Sequence, residues 1–216
     1  LLREAGEHYV TKSSNQAEAI KCYEQVLELS PDDADALARL REMYEKRRDW
    51  EGLLRVMQRQ SEGLSPGERI EQLVAMADIA TQKLRKPEVS IGLWEQVLEV
   101  DGSNAQALEQ LVGLYERAKE WQKIAETLEV VTQSTTNDAD LKAQLTKLGS
   151  IYADKTNDDE GAVRAFTRLL AIDPDDRRAQ EALKKKYVAL TAWDELEAFY
   201  EPSAKWDELI RLVERE

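Results

Sequence analysis

Few side chains in this sequence of 216 residues could support enzyme chemistry. The single histidine, His8, has no Cys or second His nearby, so we expect neither a zinc site nor a histidine-based catalytic triad within the chain. The lone cysteine, Cys22, cannot form an internal disulfide. Because it stands at helical spacing from Ala19 and Val26, we interpret it as a packing residue and not as a nucleophile. No metal and no cofactor are expected.

Two further features resemble chemical motifs but lack their essential residues. Segment 63–68 reads Gly-Leu-Ser-Pro-Gly-Glu; it lacks the Gly-Lys-Ser/Thr of a phosphate-binding loop, so we predict a linker turn. Acid–base catalysis by the many carboxylates would need an apolar pocket that shifts one pKa, and amphipathic surface helices indicate none. The sequence therefore predicts a protein that is not an enzyme.

Composition narrows the fold and the class of partner. Charged residues make up 34% of the chain and Phe occurs twice, which favours apolar stripes over one globular core. No run of 18 apolar residues and no signal-peptide-like start is present, so we expect a soluble chain, with the cytoplasm favoured. The net charge of −13 disfavours nucleic acid and anionic lipid as partners. Since the chain begins and ends in charged helical sequence, we expect a fragment of a longer protein.

The sequence repeats itself with a period of about 71 residues. Residues 19–28 align with 90–99 and 162–171, at offsets of 71 and 72. Aromatic residues recur at the same shift, with six residues from Tyr to Trp in each copy: Tyr44 and Trp50, Tyr115 and Trp121, Tyr187 and Trp193. Each copy contains four amphipathic stretches of helical periodicity separated by turn residues. A duplication of this kind predicts stacked helical units that bury their apolar faces against one another.

Acidic residues cluster at several of the predicted turns. Segments 30–33 and 173–176 each contain Pro followed by two Asp, where a helix begins. Carboxylates at a helix N-terminus accept hydrogen bonds from free backbone amides and interact favourably with the helix dipole. We interpret these clusters as helix caps and not as metal sites.

The aligned residues resemble the tetratricopeptide-repeat family, whose unit of about 34 residues is an antiparallel helix pair. The residues that occupy the family's columns are Leu148, Gly149, Tyr152, Ala162, Phe166, Leu169 and Pro174, and in the first unit Gly6, Tyr9, Ala19, Tyr23, Val26 and Pro31. In both units one extra residue separates the Tyr from the Ala column. The second unit of each copy departs from the pattern, with Leu53 or Ile124 where the family prefers Ala. The resemblance implies a right-handed α-solenoid of a bacterial-type tetratricopeptide-repeat protein.

We predict a single solenoid over residues 1–216. It would contain about six helix pairs, approximately at 1–31, 32–65, 66–102, 103–135, 136–174 and 175–200. Pro202 interrupts the last of these helices. A C-terminal helix over 205–216 would either cap the last apolar face or begin a further unit, and we prefer the cap.

The resemblance also implies that the first helix of each pair lines a concave groove. With the Tyr column setting the register, the partner-binding candidates are Asp35, Glu42, Glu45, Lys46, Asp78, Glu109, Glu116, Arg117, Arg178, Glu181 and Lys185. Arg3, Glu7 and Gln106 belong to the same set of positions. The set changes from acidic to basic along the chain, which could orient an extended segment. The alternative that these residues only make the helix faces soluble stays open.

We therefore predict a non-catalytic scaffold or adaptor that binds a peptide or a helical partner in the groove. No Asn stands among the candidates, so we do not expect the mode in which relatives grip a free C-terminal carboxylate with Lys, Asn and Arg. Two alternatives are a structural module that forms homo-oligomers and a regulatory domain of a larger protein. The sequence identifies neither the partner nor the pathway.

Overall fold

The computed structural model describes residues 1–11, 15–61, 63–204 and 206–214, and there all regular structure is helical. Thirteen α-helices follow one another in this part of the chain: α1 (Leu2–Thr11), α2 (Gln16–Leu29), α3 (Ala34–Arg47), α4 (Trp50–Ser61), α5 (Pro66–Ile79), α6 (Pro87–Val100), α7 (Ala105–Ala118), α8 (Trp121–Ser134), α9 (Asp138–Ile151), α10 (Asp159–Ile172), α11 (Arg177–Ala189), α12 (Trp193–Tyr200) and α13 (Trp206–Val213). The predicted all-α class is confirmed, with six pairs of a first and a second helix followed by a C-terminal helix. Of the residues predicted for that last helix, 205, 215 and 216 lie outside the described part.

The chain divides into two compact units, Leu1–Leu114 and Tyr115–Glu216, and the division falls within α7. In the first unit α1 to α6 each pack against the helices next to them in sequence. In the second unit the same holds from α8 to α13. Such packing makes each helix pair depend on its immediate neighbours for burial of its apolar face.

The acidic turns act as helix caps, as the sequence predicts. Asp33 Oδ1 accepts a hydrogen bond of 3.0 Å from the backbone amide of Ala36, at the start of α3. Asp176 Oδ1 accepts from the amide of Ala179 at the same distance, at the start of α11. Each bond satisfies an amide that has no partner within its helix. The carboxylates therefore fix where these helices begin.

The extra residue that follows Tyr152 is accommodated by a π-helical turn. This turn, Tyr152–Thr156, extends α9, and an equivalent turn, Ala80–Leu84, extends α5. Each turn ends at a residue of left-handed conformation, with φ of 55° at Arg85 and 53° at Asn157. A π turn takes up one more residue than an α turn. The chain thus gains a residue without rotating the faces of the helices on either side.

The six-residue step from Tyr to Trp is a turn of fixed geometry that ends the first helix and begins the second. In the first copy Arg48 has a φ of 56°. Its amide donates to the carbonyl of Glu45 at 3.0 Å, while the amide of Asp49 donates to the carbonyl of Tyr44 at 2.9 Å. This bond pattern is a Schellman motif, in which Gly usually takes the left-handed position. The same geometry recurs with Lys119 (φ 61°) and Thr191 (φ 52°).

Small residues lie under aromatic rings where paired helices approach most closely. A Cβ atom added to Gly149 on α9 would lie 2.6 Å from Cε1 of Phe166 on α10. Gly52 has the same relation to the Tyr44 ring, again at 2.6 Å. No normal carbon–carbon contact is so short, so these positions require a glycine. Each of these aromatic rings is thus accommodated by a glycine on the other helix of its pair.

We predict opposite effects for two Gly→Ala substitutions in first helices. Gly149→Ala should lower the free energy of unfolding by about 1–3 kcal/mol, because the new methyl group overpacks the Phe166 ring. Gly113→Ala should raise it by about 0.5–1 kcal/mol, because a Cβ atom at that α7 position meets nothing within 4 Å and Ala favours the helix. Urea unfolding followed by circular dichroism measures both. Equal stability of the two variants would contradict the close packing described here.

A second prediction concerns the left-handed turn residues. Lys119→Gly should raise the free energy of unfolding by about 0.5–1 kcal/mol, because glycine adopts a positive φ without steric cost. Glu126→Gly, at an exposed position within α8, is the control and should lower it by about 1 kcal/mol. If both substitutions destabilised the protein equally in thermal unfolding, Lys119 would not hold the left-handed conformation in solution.

Candidate functional site

The eleven predicted binding residues all lie on first helices, namely α3, α5, α7 and α11. Ten of them are exposed, and Asp78 is half-buried. We call the outward, non-packing side of the first helices the first-helix face. None of the eleven side chains belongs to the buried columns that join the helices. They are therefore free to vary without loss of packing.

In the first unit, the predicted residues Glu7, Asp78 and Gln106 contact neighbouring first helices, and Glu7 does so through Arg39, which was not predicted for this face. Arg39 Nη2 of α3 lies 4.0 Å from Glu7 Oε1 of α1. Gln106 Nε2 of α7 donates a hydrogen bond of 3.4 Å to Asp78 Oδ2 of α5. Polar side chains from successive pairs are thus brought side by side within this unit.

In the second unit the equivalent contact joins α7 and α9. Lys147 Nζ lies 2.6 Å from Glu116 Oε1, and both side chains are about two-fifths exposed. Farther along, a cleft of about 640 Å³ opens between α11 and α13. Its lining includes Glu181 and Lys185, which the sequence predicts, and also Arg211 of α13. The second unit therefore brings two of its predicted residues together at one concavity.

The charge of the face differs between the two units. Of the predicted residues in the first unit five are carboxylates and one is Lys46, whereas the second unit has two carboxylates and three basic residues. Part of this charge is neutralised locally, since Lys46 Nζ lies 2.6 Å from Glu42 Oε1. Apart from the half-buried Asp78, the other charged residues are exposed, so their field extends over about one Debye length of ~8–10 Å at physiological salt.

Lys184 also lines the cleft between α11 and α13, and it was not predicted from the sequence. Its side chain is 16% exposed, and its Nζ lies 2.9 Å from Glu181 Oε1 and 5.2 Å from the centroid of the Tyr200 ring. Burial works against its charge, but hydrogen bonds to Glu181 and Tyr200 and the nearby negative charge outweigh this, so its pKa lies above the ordinary value. Lys184 is partly buried because Phe199 and Tyr200 of α12 lie next to its ammonium group, which the helical periodicity of α11 alone does not indicate.

Two buried tyrosines bond to carboxylates on the preceding second helix. Tyr44 Oη donates to Glu24 Oε1 of α2 at 2.5 Å. Tyr152 Oη donates to Glu129 Oε1 of α8 at 3.2 Å, and Glu129 also pairs with Arg168 at 3.0 Å. Burial and these carboxylates raise the pKa of each phenol to about 12. The bonds serve packing between pairs, and their oxygens do not lie on the first-helix face.

The remaining candidates for chemistry lie apart from one another. His8 is exposed on α1, and Cys22 is half-buried on α2. Within the described ranges, no group of three or more His, Cys, Asp or Glu side chains is placed to hold a metal ion. Across the same part of the chain, no helix combines the length and apolar character needed to span a bilayer.

Comparisons with known proteins agree with the helix pairs. Family models described as tetratricopeptide repeat match residues 36–69 and 144–180, and another of the same description matches 11–33. The match over 36–69 falls on the α3–α4 pair, which departs from several family columns. A search of curated proteins finds no match.

Several solved structures are similar to this chain at low sequence identity. MamA 41-end from Desulfovibrio magneticus RS-1 is 20% identical, with 83% of this chain and 96% of that chain covered and a TM-score of 0.40. YrrB, titled a TPR protein with an unusual peptide-binding site, is 17% identical, with 85% and 90% covered and a TM-score of 0.39. A TPR repeats protein from Bacteroides fragilis is 11% identical, with 87% and 97% covered and a TM-score of 0.46.

The phenols of Tyr44 and Tyr152 predict a late step in an alkaline titration. Both should ionise with midpoints near 12, about two pH units above an exposed tyrosine, and burial also raises the pKa of Tyr23 above its ordinary value. Because their folded pKa values lie above the unfolded value of about 10, their contribution to stability is complete below pH 10 and is lost as the pH rises toward 12. Absorbance at 295 nm follows the ionisation.

Tyr44→Phe should remove one phenol from the step near pH 12, and the urea-unfolded chain should titrate in a single step near pH 10. A folded protein in which every tyrosine had ionised by pH 11 would show that neither phenol is buried against its carboxylate.

Proposed function

Because the chain is a tetratricopeptide-repeat protein, we propose that it is a non-catalytic scaffold whose first-helix face binds an extended peptide or a helical segment of another protein. The tetratricopeptide fold generally mediates interactions between proteins. The observation that most supports the proposal is the contact between polar residues of successive first helices, Asp78 with Gln106 and Glu116 with Lys147. Such contacts set the polar residues of successive helices side by side, so a ligand can bridge several repeats.

The charge of each unit suggests the chemistry of the segment that it binds. The carboxylates of the first unit favour a segment rich in Lys and Arg, whereas Arg178 and Lys185 favour acidic residues at the second unit. Opposite charges across an interface accelerate association and set its register more than they raise its affinity. Binding should therefore weaken as salt increases. A free acidic C-terminal peptide is not expected to bind the first unit.

We predict that a fluorescently labelled peptide rich in Lys and Arg binds the protein, and that Asp35→Lys combined with Glu45→Lys weakens the complex by about tenfold. Both residues are exposed on α3, so the variant should keep its fold. Fluorescence anisotropy at two salt concentrations measures the affinity, and a peptide with Asp and Glu in place of Lys and Arg tests the sign of the charge.

The matched control for this variant makes the same change of net charge on second helices. Glu28→Lys with Glu99→Lys alters exposed positions on α2 and α6. This control should keep its affinity for the basic peptide within about twofold. Equal weakening in both double variants would indicate non-specific attraction to an acidic protein and would contradict a site on the first-helix face.

The basic part of the face is tested with natural ligands. The protein serves as bait for affinity capture, and capture is repeated with Arg178→Glu and Lys185→Glu together. We expect the double reversal to lose the partners that bind the second unit. Lys123→Glu with Arg164→Glu, on α8 and α10, carries the same charge change and should retain them. Capture that is unaltered by the Arg178 and Lys185 reversals would exclude this part of the face as the site.

A further inference from the structure

The last helix, α13, has an apolar stripe that no other part of the described chain covers. Trp206, Ile210 and Val213 are 42%, 53% and 48% exposed. Their spacing of four and then three residues places all three on one side of the helix. The outer side of α13 is therefore apolar.

The sequence of α13 repeats that of α4. Residues 206–216 align with 50–60: both segments begin with Trp, share a Leu and two Arg, and are apolar at the same three further positions. The turn before α13 also matches the turn before α4. Ala204 has a φ of 49° and stands two residues before Trp206, as Arg48 stands before Trp50. By sequence and by the conformation that precedes it, α13 resembles the second helices of the repeat, although it follows α12 without a first helix between them.

In α4 the corresponding positions are covered by the next helix pair. Leu54 and Met57, which align with Ile210 and Val213, are 7% and 1% exposed. Leu54 lines a surface shared with Met76 of α5 and Leu93 of α6. Polar contacts at both ends of α4 also connect it to the α5–α6 pair. Gln72 Nε2 of α5 donates to the carbonyl of Met57 at 2.5 Å, and Lys86 pairs with Glu51.

The other second helices show that the stripe accompanies a following helix pair. In α8, which packs against α9, the aligned positions are Ala125 and Leu128, at 0% and 3% exposure. In α12 the first of these positions is Glu197, which is exposed, and in the described part of the chain a short turn and α13 follow this helix. The position four residues after the Trp is thus apolar in α4 and α8, against which a following first helix packs. In α12, which no first helix follows in the described chain, this position is the charged Glu197. α13 has the apolar residue.

We propose that the apolar stripe of α13 binds a helix pair of the α5–α6 type. The first helix of that pair carries apolar and small residues at the spacing of Leu73, Met76, Ala77 and Ala80, all of which are at most 1% exposed against α4 and α6. In the complex Ile210 and Val213 take the places of Leu54 and Met57, and Asp207 takes the place of Glu51 opposite a lysine. This apolar stripe is separate from the first-helix face. The proposal for α13 therefore does not depend on the proposed function.

The test adds such a pair in the register that the alignment dictates. Glu216 aligns with Gln60, so a second copy of residues 61–102 is joined directly after Glu216 of the full chain. Hydrogen exchange of the α13 amides, read by mass spectrometry, reports whether the stripe is covered. We expect protection of these amides to rise at least tenfold and binding of an apolar dye to fall.

Two matched variants of the extended chain separate docking from simple extension. Ile210→Glu with Val213→Glu changes exposed residues, so the chain of 216 residues should keep its stability, whereas the extended chain should lose the added protection. Two unrelated residues inserted after Glu216, which break the register, should have the same effect. Unchanged exchange in the extended chain, or protection that survives both variants, would overturn the proposal.

Light scattering of the unextended protein at several concentrations tests the main alternative occupant, a second copy of the chain. We expect a mass that does not change with concentration. Self-association abolished by Ile210→Glu would assign the stripe to a second copy and overturn the assignment to an α5–α6-type pair.

Discussion

A single helix pair of this protein cannot bury its own apolar face, and every other feature of the fold follows from that constraint. Each pair packs on the pair before it and the pair after it within its unit, so burial of the apolar faces depends on contacts between neighbours. Within a pair the packing is equally close: a single methyl group on Gly149 would disturb its contact with Phe166, and one on Gly52 its contact with Tyr44. The predicted residues of the first-helix face lie outside these apolar contacts and meet neighbouring first helices through polar groups.

Apolar burial alone does not fix how one pair is positioned against the next, because it has no direction. The bonds from Tyr44 to Glu24 and from Tyr152 to Glu129 supply that direction: each runs from a first helix to the preceding second helix. The hydroxyl and the carboxylate must meet within hydrogen-bonding distance, which allows only one register. These polar contacts add direction to an interface that apolar burial holds together.

The helices and caps could be predicted from the sequence because each has a local cause. Asp33 and Asp176 precede helices, and the Tyr-to-Trp step recurs at a fixed length. The exposed position of most candidate binding residues also follows from helical periodicity. The surroundings of Lys184 could not be predicted, since they depend on where α12 ends and on which rings it brings over α11. The π-helical turn after Tyr152 could not be predicted either. The sequence shows one extra residue at this point, but it does not indicate the backbone conformation that accommodates that residue.

That π-helical turn has a consequence for how such a chain can evolve. Because the extra residue is absorbed locally, units of unequal length can stand next to each other with their buried columns still aligned. A one-residue insertion or deletion at this junction changes the pitch of one turn and leaves the neighbouring contacts in place. Gene duplication and unequal crossing-over can therefore join repeats of different ancestry into one continuous array, and the length of a repeat need not be under strict selection.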